Sequence, residues 1–105
     1  MTMSIHDESS EDTLEFNDGS LQRHGISRLE AMQVVEADES EYFPLSPNEG
    51  NDRVMFVGFA HAEVRLLEVG VEFLADGRER IFHAGKARRY FVNLYNQRKH
   101  HEIEI

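Results

Sequence analysis

The 105 residues contain no cysteine, which excludes disulfides, thiolate nucleophiles and zinc sites built on Cys; a reducing compartment is permitted but not required. No stretch approaches the roughly 18 consecutive apolar residues of a membrane-spanning helix. The opening segment MTMSIHDESSEDT is acidic and lacks the apolar core of a secretion signal. The expectation is a cytoplasmic protein that does not engage a membrane. Also absent are a GxSxG elbow, a P-loop, an HExxH helix and a dinucleotide-binding fingerprint, so the commonest hydrolase, nucleotide and zinc-protease chemistries have no anchor here. Positive charge is scarce in the first half: residues 1–50 hold two bases, Arg23 and Arg28, against twelve acids.

What is present fits one small domain. Apolar residues make up 40% of the chain and charged residues 30%, a balance that supports one core, and the length leaves no room for a second. The net charge of −9 taken alone argues against a protein that grips nucleic acid. Its distribution changes that: residues 78–101 carry seven bases, three histidines and the single acid Glu79. A basic block sits inside an acidic protein.

Residues 1–12 are rich in Ser, Asp and Glu with one isolated Ile, too little apolar surface to offset ordering, and read as a disordered acidic arm. The folded domain is expected over 13–99, with 100–105 as a tail. Leu14-Glu15-Phe16 alternates like a short strand and runs into a turn at Asn17-Asp18-Gly19; Ser20 to His24 forms one helical turn closed by Gly25. Ser27 and Glu30 stand at capping-box spacing and start a helix that the acidic run from Glu36 ends near Ala37. Tyr42, Phe43 and Leu45 read as a short strand stopped at Pro44 and Pro47, followed by a loop from Ser46 to Asp52.

Arg53 to Ala60 is almost continuously apolar and reads as a central strand buried on both faces. In the strand after Glu63 the apolar parity changes, which predicts a bulge near Leu66-Leu67. Asp76-Gly77 is a hairpin turn, and Glu79 to Ala84 is the returning strand. Ala87, Tyr90, Phe91, Leu94 and Tyr95 then recur at helical spacing as the apolar face of a basic helix. Ile103 and Ile105 alternate in the tail, as either an edge strand or a loose end. The order predicts an α+β fold: an antiparallel sheet of three to five strands with two N-terminal helices and a C-terminal amphipathic helix, the helices on one side of the sheet.

The segment Arg23-His24-Gly25-Ile26-Ser27 with Glu30-Ala31 resembles the K/R-H-G-V/I-S/T-x-x-E-A signature of the BrnT-like toxins, small members of type II toxin–antitoxin modules in the RelE-like superfamily. Arg53 to Gly58 is similar to that family's R-x-x-x-x-G strand, and Arg80-Ile81-Phe82-His83-Ala84 lies where the family has R-I-I-S-A. The resemblance spans residues 14 to 95. It implies an antiparallel sheet flanked by helices, a ribonuclease acting on RNA, and an antitoxin protein encoded nearby that covers the basic surface. The chain departs from the pattern: Phe16-Asn17-Asp18 keeps the Asp but lacks the family's Trp, the spacer to His24 is shorter than the family's longer first helix, His83 replaces a serine, Gly85 replaces an arginine, and Phe91 stands where the last helix usually has a glutamate.

Metal-independent RNA cleavage needs a base for the 2′-hydroxyl, positive charge at the phosphoryl group and an acid for the leaving oxygen. His24 and His83, as histidines, suit the acid and base roles; Arg80 joins them as a catalytic candidate, and Lys86, Arg88 and Arg89 are the candidates for holding RNA. Each has a plainer alternative. His83 shares strand parity with Ile81 and reads equally as a partly buried strand-end histidine, His24 as a hydrogen-bonding turn residue, and Arg88-Arg89 as a solvated helix face. Tyr90 and Tyr95 fall with the core positions. The adjacent pair His100-His101 lacks the fixed geometry of a metal site, and neither metal nor cofactor is expected. Two functions follow: a toxin-like ribonuclease, for which the basic residues converge with His24 or His83, or a toxin-fold module without catalysis that binds a protein partner, which Gly85 and the acidic balance favour. Oligomers are compatible with either.

Overall fold

A computed structural model of the protein describes residues 14–61 and 64–104, with side chains through residue 100. The acidic arm expected over residues 1–12 lies outside the described residues. Among the described residues five strands and three helices follow one another as β1 (Leu14–Phe16), α1 (Asp18–Arg23), α2 (Arg28–Glu36), β2 (Glu41–Asn48), β3 (Asn51–Gly58), β4 (Leu67–Phe73), β5 (Glu79–Lys86) and α3 (Arg89–Glu104). They form a single sheet in the order β1-β5-β4-β3-β2. Strands β2 to β5 are the expected antiparallel meander, and β1 adds to its outer edge in parallel with β5. The α+β class is as the sequence predicts.

Local chemistry explains most boundaries. Asn17, expected in a turn, caps α1 instead: its side chain accepts a hydrogen bond from the Ser20 N–H at 3.2 Å, because the short amide that favours turns also favours helix starts. The capping box of α2 is complete, with the Glu30 N–H donating to Ser27 Oγ at 3.0 Å and the Ser27 N–H to the Glu30 carboxylate at 2.8 Å. Its helix ends at Glu36 with Ala37 extended. Strand β2 continues through Pro44 and Pro47, contrary to the expected stop; it is an edge strand, and a proline's missing N–H costs nothing on the unpaired side. The expected loop is only the two-residue turn Glu49-Gly50, both at positive φ (52° and 85°), which joins β2 to β3.

Both faces of the sheet are covered, which corrects the expectation that all helices lie on one side. Leu67, Val69 and Val71 of β4, with Ile81 and Ala84 of β5, pack against Leu21, Ile26, Ala31 and Val34 from the α1–α2 region. On the other face Phe43, Met55 and Val57 pack against Ala87 and Phe91 of the α3 region. The reason is in the strands: β3 presents apolar residues to both sides, so each side needs a cover. Helix α3 is further fixed by buried Glu41 of β2, which receives Arg98 and Lys99, each at 3.0 Å. It runs on to Glu104, so residues 100–104 of the expected tail continue this helix and form no edge strand, and Ile105 lies outside the described residues.

The parity change predicted at Leu66-Leu67 occurs elsewhere. Leu66 precedes β4, and the irregularity lies in the β4–β5 pairing, where Val71 pairs with Ile81 but Gly70 pairs with His83, leaving Phe82 as the extra residue. The bulge sends Ile81 into the core and His83 to the opposite face. Among the described residues no helix is long and apolar enough to cross a membrane.

Candidate functional site

The face of the sheet that carries α3 holds two buried acids on β4. Glu68 and Glu72 alternate with the core residues Val69 and Val71, so they share the opposite side, and both are almost wholly inaccessible, at 0% and 3% exposure. Gly70 lies between them. A side chain there would collide with the ring of Phe82, 2.6 Å from a Cβ, so the glycine admits the bulged phenylalanine and the ring divides the two acids.

Around Glu68 three of the predicted residues meet. His83 Nε2 lies 2.8 Å from Glu68 Oε2. Arg88 donates its backbone N–H to Oε1 and its Nε to Oε2, both at 2.8 Å, and its Nη2 stands 2.7 Å from Oε2. Burial raises the Glu68 carboxyl pKa, but the hydrogen bonds from His83 and Arg88 and the Arg88 charge outweigh it and hold the value at about 2. The acid is ionised at any ordinary pH. His24, just after α1, presents its ring edge-on to His83 with centroids 5.4 Å apart. It also lies against Gly85, where a Cβ would come within 3.2 Å of His24 Cγ. Gly85 therefore leaves the space in which His24 sits.

The environment of each histidine decides what it can do. His83 keeps 24% of its side chain accessible while Glu68 fixes the nitrogen that faces inward. An ionised carboxylate favours the tautomer with the proton on Nε2, so Nδ1 is left as the free acceptor. His24 is exposed beside it. The Arg88 side chain is 65% exposed although its Nε and Nη2 both face Glu68.

The other predicted residues do not join this centre. Arg80 lies beyond Phe82, with Nε 3.2 Å from Glu15 and Nη1 3.8 Å from Glu72. Glu72 accepts from the amides of Asn51 at 3.0 Å and Asn48 at 3.2 Å. The Asn51 hydrogen bond leads in lowering its pKa against burial, helped by Asn48 and the charges of Arg80 and Arg53. Lys86 pairs with Leu67, the register position of the α1–α2 face, and is exposed. Arg89 is exposed at the first turn of α3. Nor is the basic block a bare cationic surface: Arg78 pairs with Glu15 and Asp76, and Arg98 and Lys99 with Glu41. Tyr90 is 66% exposed, which corrects its expected place in the core; Phe91 takes the inward position beside it, 6% exposed.

Sequence reasoning missed Glu68. In LEVGVEF an acid alternating with valines reads as the solvent side of a strand, and the hairpin register without a bulge would set His83 opposite Val69 in the core. Two glutamates on one strand face, opposite a strand bearing Arg80 and His83, were the available signal. Among the described residues no group of three or more His, Asp or Glu is placed to hold a metal ion. No protein-family model matches the chain, and no curated protein matches it.

Proposed function

We propose that the protein is a metal-independent endoribonuclease of the BrnT-like toxin kind, with Glu68, His83, His24 and Arg88 as its centre and an antitoxin as its protein partner. The observation that supports this most is the meeting of His83 and Arg88 on one buried, ionised carboxylate, with the His24 ring edge-on to His83. His83, oriented by Glu68, takes the proton of an RNA 2′-hydroxyl at Nδ1. The 2′-oxygen then bonds to the adjacent phosphorus, the bond from phosphorus to the 5′-oxygen breaks, and His24 in its protonated form supplies that oxygen with a proton. The products are a 2′,3′-cyclic phosphate and a free 5′-hydroxyl. Arg88 offsets the charge on the phosphoryl oxygens, and Glu68 offsets the charge His83 gains. Arg80 serves the neighbouring cluster in this scheme and is not one of the reacting groups.

The test is cleavage of single-stranded RNA with chelator present. Wild type should yield cyclic-phosphate ends, and His83→Ala or His24→Ala should each lower the rate by about 100- to 10,000-fold, the usual worth of a positioned acid or base. Absence of cleavage at high protein concentration would overturn the proposal. One observation favours the second function, a protein-binding module without catalysis: Arg78, Arg80, Arg98 and Lys99 are all matched by carboxylates, which leaves less positive surface for a polyanion than the sequence promises. Under that function expression causes no growth arrest.

A further inference from the structure

Resting on the ribonuclease proposal, we infer that Tyr90 is a stacking platform for a nucleobase, and that the site takes single-stranded RNA with the base next to the reacting phosphate laid on the Tyr90 ring. Arg88, Arg89 and Tyr90 are consecutive exposed residues at the start of α3. The Tyr90 ring meets Phe91 edge-on at 5.0 Å, and the Arg88 guanidinium lies 5.6 Å from the centroid of the same Phe91 ring. Phe91 is anchored in the core. It thereby holds both the exposed tyrosine and the arginine that reaches Glu68, and Glu68 in turn holds His83.

The exposed aromatic rings elsewhere have no such connection. Tyr42 tilts against Phe56 on the β2–β3 edge, and Phe59 meets Tyr95 further along α3. Neither touches a residue of the Glu68 centre in these contacts. A tyrosine at 66% exposure contributes little to the core, yet its flat face and few rotatable bonds make it a low-entropy surface for a base. Every base has such a face, so Tyr90 provides a preference for unpaired over paired RNA and not a choice of sequence. In a duplex the bases are already stacked on one another and the ring has nothing to receive.

Binding is measured by fluorescence anisotropy with an oligonucleotide carrying 2′-O-methyl groups, which removes the nucleophile and prevents cleavage. Three forms of it serve as probes: the single strand, the same strand in a duplex, and a single strand with abasic positions. Tyr90→Ala should weaken binding to the single strand about tenfold, a typical loss for one base–aromatic stack. Tyr90→Phe should stay within about twofold of wild type, since the ring is kept. The Tyr90→Ala effect should vanish on the duplex and on the abasic strand. Equal affinity of Tyr90→Ala and wild type for the single strand overturns the inference, as does an equal loss on strand and duplex, which would make Tyr90 part of a general surface or a protein contact. Wild type that cleaves RNA while Tyr90→Ala binds normally removes Tyr90 alone; wild type that neither binds nor cleaves removes the ribonuclease proposal with it.

Discussion

Glu68 and Glu72 stand four residues apart on the same face of the same strand, both buried and both with lowered pKa values, yet they build different things. Glu72 is surrounded by amides and an arginine that is itself held by a second carboxylate. All of those partners keep their protonation state at ordinary pH, and the cluster joins the β2–β3 turn to the sheet. Glu68 instead holds an imidazole, whose proton can leave, and an arginine still largely in solvent. A buried carboxylate becomes scaffold or site according to whether its partners can change state and reach water. The ring of Phe82 over Gly70 keeps the two apart.

The sharpest way to break this comparison is to neutralise each acid in turn. Glu68→Gln keeps the volume but loses the charge that selects the His83 tautomer and offsets imidazolium formation. Its cleavage rate should fall between about 100- and 10,000-fold, the range for losing a carboxylate that orients a catalytic histidine. Glu72→Gln should leave the rate within about twofold while lowering the thermal midpoint, because it touches no reacting group in the proposed chemistry. A larger rate loss in Glu72→Gln than in Glu68→Gln would move the centre to the Arg80 side of Phe82.

Acid unfolding sharpens the same contrast. Folding lowers the Glu68 pKa from 4.5 to about 2, so its contribution is fully present above pH 4.5 and is lost as pH falls from there towards 2. A shift of that size corresponds to about 3 kcal/mol. Asp18, Glu72 and Asp76 also have lowered values and contribute acid sensitivity of their own. The difference between wild type and Glu68→Gln isolates Glu68: below pH 4.5 the wild-type stability should fall towards that of the variant, measured by denaturant titration at each pH. Parallel curves across that interval would show that the carboxylate gains nothing from His83 and Arg88.

How far this was legible in the sequence follows from the physics of each element. The capping box, the first strand, the Asp76-Gly77 hairpin and the basic last helix depend on neighbours within a few residues, and they stand where expected. His24, His83 and Arg88 were recognisable as chemistry-bearing residues. Their meeting point was not, because it depends on one unpaired residue, Phe82, that reverses which side of the sheet His83 faces. Both Gly70 and Phe82 must be known together to place that bulge, and strand periodicity alone put it on β4. The prolines of β2 misled for a similar reason: their cost depends on whether a neighbour strand exists, which is a property of the whole sheet.

Gly85→Ala should give the smallest effect and discriminates most finely, because it perturbs the Glu68 centre without removing any of its groups. A Cβ at this position meets His24 Cγ at 3.2 Å, so the ring must withdraw by a few tenths of an ångström. His24 is exposed and follows the end of a short helix, and hence it can move at little cost to the fold. Alanine also restricts the unfolded chain more than glycine does, which offsets the remaining strain. Stability should therefore stay within about 1 kcal/mol of wild type. In the proposed chemistry, however, the proton donor His24 is displaced from His83, and proton transfer is sensitive to such displacement, so the cleavage rate should drop several-fold. The two readouts separate the roles of the glycine: a lowered melting point with full activity makes Gly85 a packing residue only, whereas a near-normal melting point with a slower reaction places His24 among the reacting groups.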